Sequence, residues 1–320
     1  MKRKVLLIGG SGFIGKHFSM ELSDCDIHIA DLEQPELDQK YKHYSFLDIR
    51  EKDQVFKFFE KNQTFDDVIL LAAEHKDFGV EPEAYYKTNV DGTKNVLDAL
   101  NEKNTKTFTF FSSVAIYGEA SLARSEEDEK NPVNHYGKSK LQAEQVVLDW
   151  KKNTSIKTVI VRPAVVYGEK NVANMYKLIQ QIKKKKFFYV GAMNNIKSIC
   201  YVKNLVSACM FVLRDLEEDL FIFNYADDKQ MTSREISQTI AGKLDIKLVN
   251  VPLWLVYCLA IPFDLLTILT KKDFGVSTQR IKKLCTQTYF KAEKIKSTGY
   301  KAKYNNKDGI EAMVDWLMKS

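Results

Sequence analysis

Three features of the sequence predict an α/β fold built on a doubly wound parallel sheet. Short apolar runs alternate with helix-like stretches, the former near 4–9, 26–31, 66–73, 107–113 and 157–162 and the latter near 13–23, 51–61, 83–103 and 136–153. Such alternation is typical of parallel strands joined by crossover helices. The first run breaks into glycines before a helix. After Gly168 the pattern changes to helices and loops, with returns to the sheet predicted at 199–202 and 220–224. We therefore expect a boundary near 165, which the chain crosses more than once.

The first strand and the turn after it carry a nucleotide-binding pattern. Gly9, Gly12 and Gly15 follow the strand in the spacing G-x-x-G-x-x-G, and such glycines let the backbone turn tightly and approach a pyrophosphate at a helix N-terminus. The second strand ends at Asp31, whose carboxylate is placed to accept both hydroxyls of an adenosine ribose. Because no arginine adjoins Asp31, the sequence predicts NAD rather than NADP as the cofactor.

A serine and a Tyr-x-x-x-Lys pair indicate redox chemistry on an alcohol. Tyr136 and Lys140 lie one helical turn apart, so both side chains can face the same side of a helix. A free tyrosine has a pKa of about 10, but an adjacent ammonium favours the phenolate, and the hydroxyl of Ser113 can hold the substrate oxygen. Ser113, Tyr136 and Lys140 are therefore the predicted catalytic residues. The alternative is a surface helix with a chance spacing.

These motifs resemble those of the extended short-chain dehydrogenase/reductase family of nucleotide-sugar epimerases and dehydratases, over essentially the whole chain. Further matching segments are 47–50, 71–73, 89–93 and 161–168. The resemblance implies a Rossmann-type NAD-binding domain over 1–165 and a smaller C-terminal substrate-binding domain over 166–320. It implies that NAD is contacted by Gly9, Gly12, Phe13, Ile14, Gly15, Asp31, Asp48, Ile49, Leu71, Ala72, Ala73, Asn89, Ser112, Tyr136, Lys140 and Pro163.

The resemblance also indicates the reaction. Dehydratases of this family carry an Asp-Glu pair directly after the serine, and decarboxylases carry a glutamate at the second of these positions, whereas this chain has Val114 and Ala115. Without a further acid or base, the simplest reaction is reversible oxidation at C4, rotation of the keto sugar and return of the hydride to its opposite face. The chain is therefore expected to be a 4-epimerase that regenerates its NAD in every cycle.

Segments outside the general pattern are similar to bacterial enzymes that epimerise GlcNAc to GalNAc attached to undecaprenyl diphosphate. These segments are 71–76, 134–140, 174–179 and 276–283. The similarity implies a lipid-linked amino sugar of surface polysaccharide biosynthesis, contacted by Glu74, His75, Ser113, Tyr136, Asn174 and Arg280. Glu74 and His75 can equally be loop caps, and Arg280 can be a surface residue. The alternatives for the whole chain are a soluble UDP-GlcNAc or UDP-Glc 4-epimerase and a non-catalytic NAD-binding regulatory module.

Composition argues against several other classes. The net charge of +6 suits an anionic ligand or a membrane surface but is too small to indicate nucleic-acid binding. The five cysteines are scattered and never spaced C-x-x-C, so neither a disulfide framework nor a metal site is predicted. Only four apolar residues precede the first glycine, too few for a signal peptide, and the protein is expected to be cytoplasmic. The acidic stretch at 125–129 is expected to be a solvated loop without a function.

The most apolar stretch of the chain, 251–270, predicts contact with a membrane surface. Pro262 and Asp264 are expected to cut it into two pieces that are too short to span a bilayer. We expect it to lie at the cytoplasmic face of the inner membrane, with Trp254 and Tyr257 at headgroup depth. Lysines expected to face anionic lipid are those at 183–186 and 271–272. The alternatives are a buried helix pair and a contact between two copies of the chain in a homodimer.

Overall fold

The structure is a computed structural model that describes residues 2–36, 38–62, 64–76, 79–100, 104–270 and 277–319. Also outside the described part are the side chains of Ala120, Ser121, Ile268, Arg280 and Lys283. Strands in the described part are Lys4–Ile8 (β1), Asp26–Asp31 (β2), His43–Phe46 (β3), Asp67–Leu70 (β4), Thr107–Phe111 (β5), Ala120–Arg124 (β6), Lys157–Pro163 (β7), Val165–Tyr167 (β8), Tyr189–Val190 (β9), Ile196–Lys197 (β10), Ile199–Tyr201 (β11), Leu220–Tyr225 (β12), Met231–Thr232 (β13), Asn250–Val251 (β14) and Thr288–Phe290 (β15).

Helices occupy most of the remaining chain. The α-helices in the described part are Phe13–Glu21 (α1), Lys52–Lys61 (α2), Pro82–Tyr86 (α3), Gly92–Leu100 (α4), His135–Lys151 (α5), Asn174–Lys183 (α6), Val202–Asp215 (α7), Ser233–Lys243 (α8), Leu253–Thr270 (α9), Thr278–Cys285 (α10), Glu293–Ser297 (α11) and Asn306–Lys319 (α12). A π-helical turn, Lys87–Asp91, joins α3 to α4, and a 3-10 turn, Val114–Tyr117, follows β5.

Seven parallel strands form the central sheet, in the order β3-β2-β1-β4-β5-β7-β12. β1 pairs with β2 on one side and with β4 on the other, so the strand order reverses there and a crevice lies beyond the carboxyl ends of β1 and β4. The predicted doubly wound sheet is confirmed, and β12 returns to it at Leu220–Tyr225. The sequence does not predict β3, because His-Tyr-Ser-Phe contains no apolar run.

Helices cover both faces of the sheet, since side chains of each strand alternate between two cores. Val5 and Leu7 of β1 belong to the core that also contains residues of α1 and α7. Leu6 and Ile8 belong to the core that contains residues of α2, α4 and α5. This two-sided burial fixes the strands, so that the turns after them present their residues at one edge.

The strand at 199–201 corrects one expectation. β11 does not return to the central sheet but pairs in parallel with β8, Val165–Tyr167. The place beside β7 is already taken by β12, whose Tyr225 carbonyl accepts a hydrogen bond from the N–H of Ala164 at 2.8 Å. β11 therefore pairs with the extension of the chain beyond Ala164. The boundary near 165 stays a prediction.

Two further small sheets lie beside the C-terminal helices. One has the strand order β13-β10-β15-β6, and the other pairs β14 with β9. β6 comes from the N-terminal half of the chain, yet it pairs with β15 at Thr288–Phe290. Non-local pairing of this kind is why the small sheets are not visible as sequence patterns.

The apolar stretch forms one continuous helix, α9, and the expectation of two separate pieces is wrong. Pro262 lies within the helix and is exposed, so the hydrogen bond that proline cannot make is on the outer side, where water can satisfy the free carbonyl. The carboxylate of Asp264 accepts hydrogen bonds from Oγ1 and N–H of Thr278, at 2.6 and 3.2 Å, and so caps α10 instead of breaking α9.

One side of α9 packs against the rest of the protein, and the opposite side is exposed. Val256 and Ala260 are buried against Val190 and Ile281, whereas most of the other apolar side chains of the helix are exposed. Within the described ranges, no helix has both the length and the apolar character that a membrane span requires. Two of the residues expected to face lipid, Lys271 and Lys272, lie outside the described residues.

Candidate active site

The glycine turn after β1 is built for close approach of backbone. Gly9 has φ of 79°, in the left-handed region, and a Cβ on it would lie 2.4 Å from the backbone nitrogen of Ala72. A Cβ on Gly15 would lie 2.3 Å from the carbonyl oxygen of Gly10. Neither position tolerates a side chain, because the opposing atoms are backbone. A Cβ on Gly12 would meet only the carbonyl oxygen of Gly9, at 3.4 Å, so the approach to the turn is open.

The turn and the start of α1 fit a dinucleotide pyrophosphate. Gly12 is the N-cap of α1, and no side chain caps the first turn of the helix. The first N–H groups of α1 therefore have no side-chain acceptor, as an anion site at a helix N-terminus requires. Phe13 and Ile14 occupy the first two helical positions, and the rings of Phe13 and His17 form a T-shaped pair with 5.3 Å between centroids.

Asp31 ends β2 beside the glycine turn. Its Oδ2 accepts a hydrogen bond from the N–H of Ser11 at 2.9 Å, and its Oδ1 accepts one from the N–H of Glu33 at 3.2 Å. An ionised carboxylate offers about four acceptor positions, so two remain for the hydroxyls of a ribose. The predicted geometry for NAD is compatible with these contacts.

The wall opposite the glycines is formed by residues that follow β4. The N–H groups of Leu71 and Ala72 donate to the carbonyl of Ile8, at 2.8 and 3.0 Å, and bring 71–73 against the glycine turn.

The segment after β3 carries two more predicted cofactor residues. Ile49 is buried beneath Gly92, and a Cβ on that glycine would lie 2.7 Å from Cδ1 of Ile49. Asp48 is paired with the guanidinium of Arg50, which holds the pKa of that carboxyl below its usual range.

The remaining predicted cofactor residues sit deeper. The side chain of Asn89 donates to the carbonyl of Glu74 at 3.0 Å and to Oγ of Ser139 at 2.8 Å, and its Oδ1 accepts from the N–H of Glu74 at 2.9 Å. Asn89 thus links the segment after β4 to α5, and its role toward NAD stays a prediction. Ser112 and Pro163 are both buried, at the carboxyl ends of the neighbouring strands β5 and β7.

The segments that carry the predicted catalytic residues are in contact. Ser113 is the N-cap of the 3-10 turn, and its Oγ accepts a hydrogen bond from the N–H of Ala115 at 3.2 Å. Tyr136 and Lys140 lie in the first two turns of α5. A Cβ on Gly137 would lie 2.6 Å from the carbonyl oxygen of Ala115, so only glycine lets α5 pack this closely on the serine turn. The sequence reasoning did not single out Gly137.

Lys140 is fully buried in this arrangement. Its Nζ lies 4.3 Å from the centroid of the Phe110 ring, a cation–π contact. Burial lowers the pKa of Lys140 to about 7, and the nearby carboxylate of Glu144 acts in the opposite direction. The lowered pKa reflects the free-energy cost of an ammonium in this dry site, and it brings the titration of Lys140 close to neutral pH.

The described contacts of the predicted substrate residues do not join them into one site. Oε1 of Glu74 accepts hydrogen bonds from the N–H groups of His75 and Lys76, at 3.0 and 3.1 Å, which is a loop-capping geometry. His75 and Asn174 are exposed. Arg280 belongs to α10, but its side chain lies outside the described residues. The contacts of these residues with a substrate stay predictions.

The chain belongs to the NAD dependent epimerase/dehydratase family, whose model matches residues 5–224. It is therefore an NAD-dependent enzyme of the class of sugar epimerases and dehydratases, and the glycine cradle fits that cofactor. When bound, NAD would accept a hydride from a sugar carbon and then return it.

The chain is similar to several named sugar 4-epimerases. The N-acetyl-alpha-D-glucosaminyl-diphospho-ditrans,octacis-undecaprenol 4-epimerase of Escherichia coli O157:H7 is 36% identical over 329 residues, covering 99% of this chain and 96% of that protein. The UDP-glucose 4-epimerase of Vibrio cholerae is 28% identical, covering 79% of this chain and 80% of its own. The UDP-glucose 4-epimerase of Thermus thermophilus, solved in complex with NAD, matches with a TM-score of 0.77 at 20% identity, covering 99% of both chains. That last likeness concerns the fold.

Proposed function

We propose that this chain catalyses the reversible C4 epimerisation of an N-acetylhexosamine, GlcNAc to GalNAc, linked to undecaprenyl diphosphate. The proposal places it at the cytoplasmic face of the membrane, in the assembly of a surface polysaccharide. It is supported by the relative that is 36% identical over nearly the whole chain and is named for that lipid-linked substrate. The observation that carries it is the bare apolar face of α9.

The proposed reaction is a redox-neutral exchange of configuration. In this proposal Tyr136 takes the proton of the C4 hydroxyl, Ser113 hydrogen-bonds the same oxygen and the Lys140 ammonium stabilises the phenolate. Val114 and Ala115 follow the serine and carry no titratable group. An elimination needs an additional acid and base near the sugar, so an exchange of configuration at C4 through a 4-keto sugar is favoured.

The lipid part of the proposal depends on exposed apolar side chains. Trp254, Ile261, Leu265 and Leu269 of α9 are 67, 51, 57 and 80% exposed. At about 100° per residue they lie within an arc of about 80° on the side opposite Ala260. Lys183, Lys184, Lys185 and Lys186, at the end of α6, are exposed as well. An apolar stripe with nearby cations is the composition of a surface that lies in an anionic membrane interface.

A soluble epimerase of UDP-GlcNAc or UDP-Glc is the second candidate. It is favoured by the fold likeness to UDP-glucose 4-epimerases and by the Vibrio cholerae relative. An enzyme whose substrate dissolves in water has no need of an exposed apolar stripe, and such patches are uncommon on soluble monomers. The two candidates share Ser113, Tyr136 and Lys140 and differ in what holds the diphosphate and its substituent.

A direct comparison of substrates tests the proposal. Purified protein with NAD is given GlcNAc-diphospho-undecaprenol in anionic vesicles or UDP-GlcNAc in buffer, and the epimer is measured in each. The expected result is a higher kcat/KM for the lipid-linked sugar, with no product from Tyr136→Phe on either substrate. Preference for UDP-GlcNAc would replace the proposal by the second candidate.

A further inference from the structure

Glu144 lies one helical turn after Lys140 on α5, and the two side chains do not form an ion pair. Residues four apart on a helix are neighbours, and a lysine and a glutamate at this spacing commonly pair. Here both carboxylate oxygens of Glu144 are taken by Arg162 of β7, whose Nε and Nη2 donate at 2.9 and 2.7 Å. Both members of this pair are almost completely buried, at 1 and 3% exposure.

Arg162 is itself held by the turn that begins at Ser113. Its Nη1 donates to the hydroxyl of Tyr117 at 2.8 Å and to the carbonyl of Glu126 at 3.3 Å. The Tyr117 hydroxyl donates to Oδ1 of Asn224 at 2.8 Å, and burial raises the pKa of Tyr117 to about 12, which keeps this donor protonated. The guanidinium is thus fixed from both sides and presents its fork to Glu144.

We propose that Arg162 is a positioning residue of the reaction: it occupies both oxygens of Glu144 and thereby keeps the Lys140 ammonium available to Tyr136. The bidentate fork of arginine matches a carboxylate better than a single ammonium does. Without Arg162, Glu144 would be a buried anion beside Lys140 and would pair with it. The role concerns the redox residues alone and does not depend on which sugar the enzyme converts.

Few charged groups surround the Lys140 ammonium. On its own helix Lys140 has Tyr136 one turn before it and Glu144 one turn after it. β5 contributes the Phe110 ring, and Asn89 of the π-helical turn is bonded to Ser139 beside it. β7 contributes Arg162, whose guanidinium is bonded to Glu144, and bound NAD adds its own charge in the holoenzyme. Among the described residues, Glu144 is the carboxylate whose field acts on Lys140.

The test follows the titration of Lys140 in the holoenzyme by NMR of ¹³C-labelled lysine. The Lys140 signal is identified by its absence in Lys140→Met. Arg162→Gln should raise the Lys140 pKa, because the freed Glu144 carboxylate can pair with it, and Glu144→Gln should lower it, each by the order of one pH unit. The double variant has no carboxylate for Lys140 to pair with, so its Lys140 pKa should not rise above the wild-type value. A rise of the Lys140 pKa in Arg162→Gln that Glu144→Gln abolishes would show that Arg162 acts on Lys140 through Glu144.

Turnover gives the second readout, with whichever of the lipid-linked and UDP-linked sugars the wild type converts. Arg162→Gln should reduce kcat by up to about 100-fold, as a small misplacement in a site does, and adding Glu144→Gln should restore part of the loss. An unchanged Lys140 titration in Arg162→Gln, or no recovery in the double variant, would overturn the proposal. If the wild type converts neither sugar, the proposed function fails while the titration still decides this role.

Single variants with one buried charge can fail to fold. In that case Arg162→Lys retains the charge but loses the fork, so Glu144 keeps a free oxygen. The expected result is a Lys140 pKa above the wild-type value and a lower kcat, both reversed by Glu144→Gln in the same chain. A wild-type titration and a wild-type kcat in Arg162→Lys would show that the fork does not hold Glu144 away.

Discussion

Removing the outward apolar stripe of α9 should release the protein from anionic membranes. The stripe is Trp254, Ile261, Leu265 and Leu269, and the variant replaces all four with serine. Full burial of such a side chain is worth about 1.5–3 kcal/mol. Scaled by the exposed fractions of 67, 51, 57 and 80%, the four together offer about 4–8 kcal/mol of transfer free energy to a membrane interface.

The assay is sedimentation of the holoenzyme with vesicles that contain an anionic lipid. At about 1.4 kcal/mol per factor of ten, loss of even 4 kcal/mol corresponds to a partition coefficient about 700-fold lower. We expect a fall of about 100-fold or more, because part of the transfer free energy is offset by the ordering of side chains on binding. Since the stripe faces away from Ala260, the variant should retain NAD binding and its melting temperature.

A matched control removes exposed apolar side chains elsewhere. Leu32, Leu122 and Met318 are 48, 76 and 55% exposed and are replaced with serine in one chain, which should sediment with vesicles like the wild type. Wild-type protein that ignores the vesicles would refute the reasoning, as would a folded stripe variant that still binds them. Unfolding of the stripe variant alone would show that this face packs inside the protein or between two copies.

Three further predictions concern the chemistry and the stability. Tyr136→Phe should keep NAD but lose epimerisation by several orders of magnitude, and Ser113→Ala should lose less, since only the tyrosine moves the proton; near-normal turnover of Tyr136→Phe would contradict the mechanism. NAD should co-purify, and absorbance should show no net NADH during turnover; steady accumulation would indicate a dehydrogenase. Burial lowers the pKa of His28 to about 4, below its unfolded value of about 6.5. As the pH falls, the unfolded state therefore takes up a proton before the folded state does. The free energy of unfolding decreases between about pH 6.5 and pH 4. His28→Phe should therefore show a smaller drop in urea midpoint between about pH 7 and pH 5 than the wild type, and equal drops would exclude His28 as the cause.

Local patterns were sufficient to place several of the predicted cofactor motifs in the N-terminal half of the chain. The glycine turn and the 71–73 segment directly follow buried strands and Asp31 ends one, so the spacing along the chain fixes their place in space. The glycine turn, Asp31 and the 71–73 segment all lie at the carboxyl edge of the sheet because β1, β2 and β4 are parallel neighbours. Where a strand carries polar residues, as β3 does, the sequence pattern does not predict the strand.

Residues whose partners are distant in sequence could not be predicted. Glu126 belongs to the acidic stretch that was expected to be solvated, yet it is only 4% exposed. Its carboxylate accepts hydrogen bonds from the N–H groups of Asn224, Glu293 and Lys294, at 3.1, 3.3 and 3.2 Å, and so ties β12 to the start of α11. All three donors are far away along the chain, and nothing in the run of acids distinguishes Glu126 from Glu127 and Glu129, which are exposed.

The helix α5 shows why local spacing identifies a face but not a partner. Lys140 and Glu144 are neighbours by sequence, and their spacing alone favours an ion pair. A buried carboxylate, however, goes to the donor that satisfies both of its oxygens, because each unsatisfied oxygen would cost free energy in a dry interior. The fork of Arg162, anchored by Tyr117, meets that condition and the single ammonium of Lys140 does not. The long-range pair therefore takes precedence over the local one, and Lys140 is left beside Tyr136 with its charge uncommitted to a carboxylate.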